Sequence, residues 1–197
     1  MRVLLSIFFV SGFSALVYQV VWQRSLFALF GINTESVTLI VTVFMLGLGL
    51  GSLAGGAASR AVKRHPILLF AVAEAGIGLF GLGSLTLFSE VGRLTLTWPT
   101  PAIATVVFSL LLVPTLLMGA TLPLLTVHLV GRWANVGRSV ATLYALNTLG
   151  SAVAAGLAAF VLLGALGQAG SVRVAAAGNL LVASGALLVW RADRRRA

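Results

Sequence analysis

Long runs of apolar residues, separated by short polar stretches, fill this chain from end to end. Six runs reach the roughly 20 residues that a helix needs to cross about 30 Å of hydrocarbon. They cover residues 3–22, 36–58, 66–88, 102–130, 139–166 and 174–190. Since lipid offers the backbone no hydrogen-bond partners, such runs form helices. We predict an all-α integral membrane protein, with a single domain of six transmembrane helices over residues 1–197.

The first apolar run has an alternative interpretation as a signal peptide. It begins with Arg2 and an apolar stretch, followed by Ser-Phe-Ser-Ala. However, the run continues to Val21, which is longer than the apolar region of a signal peptide. We therefore expect a membrane helix.

Composition supports the membrane class and excludes several functions. Hydrophobic residues make up 59% of the chain and charged residues only 9%, well below the usual quarter in soluble domains. The net charge of +9 lies in short clusters rather than along one face, so we expect no nucleic-acid partner. Cysteine is absent and only two histidines occur, so we expect no metal centre and no cofactor.

The distribution of Lys and Arg predicts the orientation in the bilayer. With the N-terminus inside, ten basic residues fall on the cytoplasmic side and three, Arg24, Arg93 and Arg173, on the outer side. The ten are Arg2, Arg60, Lys63, Arg64, Arg132, Arg138, Arg191, Arg194, Arg195 and Arg196. Cytoplasmic loops of membrane proteins are enriched in these residues. We expect both termini inside, in a multi-pass protein of a bacterial inner membrane.

Small residues recur at the spacing that lets membrane helices approach closely. Gly47, Gly51 and Gly55 form a GxxxGxxxG face on the second segment. Close backbone approach supplies van der Waals packing where no hydrophobic effect drives helices together. This face predicts a tightly packed bundle, although the same surfaces could also slide during transport.

Five motifs in order carry a family resemblance. "SGFSALVYQVVWQR", "FMLGLGLGSLAGG", "AEAGIGLFG", "LLMGATLPLL" and "LYALNTLGSAVAAG" together resemble the membrane region of fused MFS/spermidine synthase proteins. The resemblance implies a bundle like half of an MFS transporter, and it covers nearly the whole chain. In that family a soluble aminopropyltransferase domain follows the membrane region. This chain ends at "RADRRRA" without a Gly-rich nucleoside loop, so we expect no enzymatic activity.

The resemblance also implies a partner and one change of charge. An MFS transporter has two such halves, so a transporter of this size is expected to work as a homodimer or with another membrane-complex subunit. The family usually has Glu at the position of Gln19, so a neutral amide replaces an ionisable group. A highly charged polyamine is therefore expected to bind more weakly here than in relatives.

Glu74 is the strongest candidate for chemistry. It lies well inside the third segment, where an acidic side chain costs about 2.5–3.5 kcal/mol on insertion scales. It either contributes to function or, when protonated, hydrogen-bonds another helix structurally. Further cavity candidates are polar or aromatic side chains in other segments: Thr121, Tyr144, Asn147 and Asn179. For the two asparagines, interhelical hydrogen bonding is the more conservative interpretation.

The first segment ends in an unusual polar and aromatic cluster. Tyr18, Gln19 and Trp22 share one helical face, just before Arg24. Trp22 and Arg24 are expected as interfacial anchors. That role does not explain Gln19, and we hypothesise that this face and Glu74 line one cavity open toward the outer side.

Two functions of different classes remain open. One is a binding or transport module for polyamine-like metabolites. The other is a non-catalytic scaffold that anchors a separately encoded aminopropyltransferase or another complex to the bilayer. Its contacts would be basic loop and tail residues: Arg60, Lys63, Arg64, Arg194, Arg195 and Arg196.

Overall fold

The computed structural model describes residues 2–30, 33–62 and 65–195, and each of its elements is a helix. In order these are α1 (Arg2–Phe30), α2 (Asn33–Ala61), α3 (Pro66–Leu94), α4 (Thr100–Trp133), α5 (Val136–Leu157), a π-helical turn (Ala158–Leu162) and α6 (Leu163–Arg194). Within these ranges no strand is present. The all-α prediction is confirmed.

Local sequence explains where several helices begin and end. Pro66 occupies the first position of α3, where the missing N–H is not needed. Asn135 caps α5, and its side-chain oxygen accepts a 2.8 Å hydrogen bond from the backbone N–H of Arg138. Ala134, the residue between α4 and this cap, has a φ of 51°. The connection between α4 and α5 is therefore only two residues long.

Five helices are long and apolar enough to cross a membrane, as in a multi-pass membrane protein. The fifth runs for 59 residues from Val136 to Arg194, where the sequence predicted two segments joined by residues 167–173. The predicted seven-residue loop is wrong, although a break does occur at its first residue. Only Gly167 leaves helical geometry, with φ 64° and ψ −172°, and Arg173 lies inside α6. This backbone conformation is essentially restricted to glycine, which explains the abrupt break at that residue.

Contacts on α1 show that the chain reverses at this break. Gly150 in α5 lies against the backbone of Phe9, and Gly185 in α6 lies against the side chain of Ile7. In a straight helix residues 150 and 185 would be about 50 Å apart, whereas residues 7 and 9 are about 3 Å apart along α1. Both arms can therefore reach α1 only if the part of α6 after Gly167 runs back along α1, in the direction opposite to α5.

Glycine faces bring α2 and α4 into close contact. A Cβ atom built on Gly47 or Gly51 would overlap Thr115 or the carbonyl of Leu116 in α4. One turn further along, a Cβ on Gly55 would lie 2.7 Å from the Cα of Ala120. The GxxxGxxxG face predicted from the sequence thus packs directly on α4.

Side-chain contacts identify the two ends of the bundle. At one end His65 accepts a 3.3 Å hydrogen bond from the indole of Trp190, and Arg132 pairs with Asp193 at 2.6 Å. At the other end the hydroxyl of Ser25 donates to Gln168 at 2.7 Å, beside the reversal at Gly167. The start of α3, the end of α4 and the end of α6 therefore share one end, which we call the His65 end.

We expect Gly51→Leu to destabilise the bundle strongly. The new side chain would overlap the α4 backbone at Leu116, and overpacking of this kind typically costs about 1–3 kcal/mol or more. Thermal unfolding in detergent would measure the change. Gly49→Leu is the matched control, because a Cβ at Gly49 meets nothing within 4 Å. Equal loss of stability in both variants would contradict close packing through Gly51.

Candidate functional site

A cavity of about 350 Å³ lies inside the bundle, and all six helices contribute to its wall. Eight of its 17 lining residues are polar: Ser11, Gln19, Ser52, Thr121, Tyr144, Asn147, Ser151 and Asn179. Its volume is at the lower end of the range for small-molecule sites. Tyr144 is 63% exposed, whereas Asn179 is only 1% exposed, so the cavity runs from an open side at α5 to a buried end at α6. It is the best candidate for a binding site.

Glu74 lies directly behind the buried end of the cavity. Its carboxylate is fully buried and accepts hydrogen bonds from the hydroxyl of Ser11 at 2.5 Å and from Nδ2 of Asn179 at 2.6 Å. Both donors line the cavity, while Glu74 itself does not. One carboxylate therefore joins α1, α3 and α6 and supports two residues of the cavity wall.

The periodicity of α1 explains how one helix serves both the cavity and the interior. Ser11, Ala15 and Gln19 follow at intervals of four residues, so they share the face that lines the cavity. Tyr18 and Trp22 also share a face, but theirs turns toward α3. The polar and aromatic cluster at the end of the first predicted segment therefore divides between two faces.

The structure places Tyr18 and Trp22 in the core instead of the cavity wall. Their rings stack with centroids 4.8 Å apart, and neither side chain is exposed. The hydroxyl of Tyr18 lies against Gly81, and the indole N–H of Trp22 donates to Ser84 at 2.9 Å. The expected interfacial role of Trp22 is wrong, because α3 and its phenylalanines offer this indole a buried site with a hydrogen-bond acceptor.

The remaining candidates meet in one place. Gln19, Thr121, Tyr144 and Asn147 all line the cavity together with Asn179, although they come from α1, α4, α5 and α6. Thr121 also donates to the carbonyl of Met118 in its own helix at 2.7 Å. Gln19 lines this cavity as hypothesised. The hypothesis that Glu74 also lines it is wrong, because Glu74 lies behind the wall and contacts the cavity only through its hydrogen bonds with Ser11 and Asn179.

The predicted basic contacts lie apart from the cavity. Arg60 is exposed at the end of α2, and Arg195 is exposed just after α6. The guanidinium of Arg194 stacks 5.1 Å from the ring centre of Trp190. Lys63, Arg64 and Arg196 lie outside the described residues. The described basic residues therefore form a charged surface at the His65 end.

Sequence reasoning missed the serines that complete the site. Ser11, Ser52 and Ser151 line the cavity, and Ser151 also donates to the carbonyl of Gly12 at 3.0 Å. A serine four or eight residues from Gln19 on the same face could have indicated Ser11. Among the described residues, no three His, Asp or Glu side chains come close enough to hold a metal ion.

Asn179→Leu is expected to destabilise the protein, because it leaves one oxygen of a buried carboxylate without its donor. Such a loss typically costs about 1–3 kcal/mol. Thermal unfolding in detergent would measure it, with Gln23→Leu as the control at a half-buried amide beside Arg24. An unchanged unfolding temperature for Asn179→Leu would contradict a structural contribution from this bond.

Comparison with known proteins identifies no relative of this chain. No family model, curated protein or solved structure matches the chain. The function therefore has to be inferred from the side chains around the cavity and from the carboxylate behind them.

Proposed function

We propose that this protein is a membrane module that binds, and in an assembled form transports, small organic amines of the polyamine kind. The observation that carries this proposal is the carboxylate of Glu74, which lies immediately behind a partly polar cavity inside the bundle. A negative charge in a site of low dielectric attracts a cation more strongly than it would in water. An acidic residue at membrane depth is also a functional candidate in its own right.

The arrangement of the helices supports the membrane topology within this proposal. Reversal at Gly167 would make α5 and α6 two separate spans and give six in all. The first described turn of α1, at Leu4, packs in the same apolar cluster as Ile67, near the His65 end. With that end on the cytoplasmic side, both termini are inside and the positive-inside rule is satisfied. The inner membrane of a bacterium is the expected location.

Resemblance to the membrane region of fused MFS/spermidine synthase proteins supports the choice of amines. It also suggests that two six-helix units cooperate, as the two halves do in an MFS transporter. The open side of the cavity fits this idea, because Tyr144 and Ser52 are exposed there. A second copy of the chain on that side would cover polar groups that lipid cannot satisfy.

A scaffold role is the second candidate, and the charged surface at the His65 end favours it. Arg60, Arg191, Arg194 and Arg195 are exposed at this end. Such a surface attracts anionic headgroups and could also dock an acidic soluble partner, such as a separately encoded aminopropyltransferase. A scaffold does not require the cavity to bind any ligand, which separates the two candidates by experiment.

The proposed topology predicts the labelling of single cysteines. The chain has no native cysteine, so Ala61→Cys and Val136→Cys at the His65 end and Leu96→Cys at the opposite end each introduce one exposed thiol. In intact cells, an impermeant outer-face reagent should label the Leu96→Cys protein and leave the other two unlabelled until the membrane is opened. Labelling with the reverse sidedness would overturn the orientation.

Glu74→Gln is expected to weaken amine binding at least ten-fold while leaving stability nearly unchanged. Glutamine removes the charge but keeps an oxygen for Asn179 and gains an N–H₂ group that can donate to Ser11. Calorimetric titration of the purified protein with 4-aminobutan-1-ol, 1,4-diaminobutane and spermidine would measure binding. Glu90→Gln removes a charge at an exposed site paired with Arg93, so it is the matched control.

The same titration decides between the two candidates. Binding that is lost in Glu74→Gln and kept in Glu90→Gln supports amine recognition through Glu74. If the wild-type protein binds none of the three amines, the binding proposal is wrong and the scaffold role stands. A large loss of stability in Glu74→Gln without any effect on binding would make Glu74 a structural residue only.

A further inference from the structure

The hydrogen bonds of Glu74 fix the orientation of the Asn179 amide. In its ionised form, Glu74 accepts hydrogen bonds and donates none, so the nitrogen of Asn179 faces it. The distance of 2.6 Å between Nδ2 and the carboxylate agrees with this orientation. The amide oxygen is therefore turned away from Glu74, and it is the polar atom of Asn179 that remains for another partner.

This oxygen has no hydrogen-bond partner among the described residues, although Asn179 lines the cavity and is 1% exposed. A buried acceptor without a donor is costly, so a ligand that supplies an N–H group there gains more than it would at a solvated site. An ammonium group offers three such donors. A ligand carboxylate would meet an acceptor with Glu74 behind it and would be repelled.

The number of negative charges near the cavity limits the number of ammonium groups it can hold. Three acidic side chains are described: Glu74, Glu90 and Asp193. Glu90 pairs with Arg93 and Asp193 pairs with Arg132, so both are already neutralised away from the cavity. Within the described part of the chain, a second ammonium in the cavity would lose its hydration without gaining a counter-charge.

The rest of the wall suits an uncharged polar group. Gln19, Asn147 and Ser151 offer amide and hydroxyl groups, while Phe44 and Met118 supply apolar surface. Hydroxyl or amide groups of a ligand could pair with the former, and a short aliphatic chain could pack on the latter. A ligand with one ammonium group and neutral polar substituents matches this surface in both charge and hydrogen bonding.

We propose that the cavity selects small amines with a single ammonium group, bound at the oxygen of Asn179, over diamines and polyamines. This inference rests on the amine binding of the proposed function, but it replaces the polyamine-like ligands proposed there with hydroxylated monoamines. Glu74 supplies the one counter-charge and also positions the amide of Asn179.

A series of four-carbon probes of matched length tests the charge preference. The purified full-length protein is titrated calorimetrically with 4-aminobutan-1-ol, 1,4-diaminobutane, 1,4-butanediol and 4-hydroxybutyrate. We expect 4-aminobutan-1-ol to bind at least ten-fold more tightly than each of the others. The diol lacks the charge, the diamine carries one charge too many, and the hydroxy acid carries the wrong charge.

Gln19→Glu provides a gain-of-function test with a matched control. It places a second carboxylate in the cavity wall, so the affinity ratio between 1,4-diaminobutane and 4-aminobutan-1-ol should shift at least ten-fold toward the diamine. Gln23→Glu makes the same change one turn further along α1, at a residue that lines a surface groove rather than the cavity. Its ratio should remain that of the wild-type protein.

Outcomes for the ligand class and for the proposed function are distinguishable. If the wild-type protein binds the diamine or spermidine more tightly than the monoamine, amine binding stands and single-ammonium selection is overturned. An unchanged ratio in a folded Gln19→Glu protein also overturns it. If no amine binds at all, both proposals fail. Should Gln19→Glu not fold, the order of affinities in the wild-type protein decides alone.

Discussion

The carboxylate of Glu74 needs hydrogen-bond donors in the middle of the bundle, and lipid supplies none. Its two donors come from α1 and α6, so three helices must converge on this one side chain. Their approach depends on glycine. Gly178 in α6 packs against Ser14 of α1, and Gly78 in α3 packs against Asn179. The small residues and the buried acid are therefore parts of one arrangement, because the glycines bring the donors within reach of the carboxylate.

On α1, residues only one position apart take different roles because successive side chains point about 100° apart around a helix. Tyr18 lies in the core beside Gly81, and Gln19 lines the cavity. The core face fixes the position of α1 through buried aromatic packing and the bond from Trp22 to Ser84. Gln19 is consequently held by a rigid element, which is the support that a selective binding site requires.

Much of this architecture could be predicted from single-residue patterns. Apolar runs predicted the helices, the spacing of Gly47, Gly51 and Gly55 predicted a close helix contact, and membrane depth singled out Glu74. What could not be predicted depends on pairs of residues far apart in sequence. Ser11 and Asn179 lie 63 and 105 positions from Glu74, and nothing local marks them as its donors. The burial of Trp22 likewise depends on Ser84, and the break within α6 depends on the backbone conformation of Gly167.

The reversal at Gly167 also bears on how the chain would enter a bilayer. This turn of one residue lies inside α6 and leaves no hydrophilic loop between the two arms, and Arg173 is the first charged residue after it. Because no flexible loop connects the two arms, neither could cross a bilayer independently of the other. The two arms pack on α1 rather than on each other, and the tip between them, Leu166, Gly167 and Gln168, carries no charge to dehydrate. Biogenesis would then add the last third of the protein in a single step, after α1 is available to receive both arms.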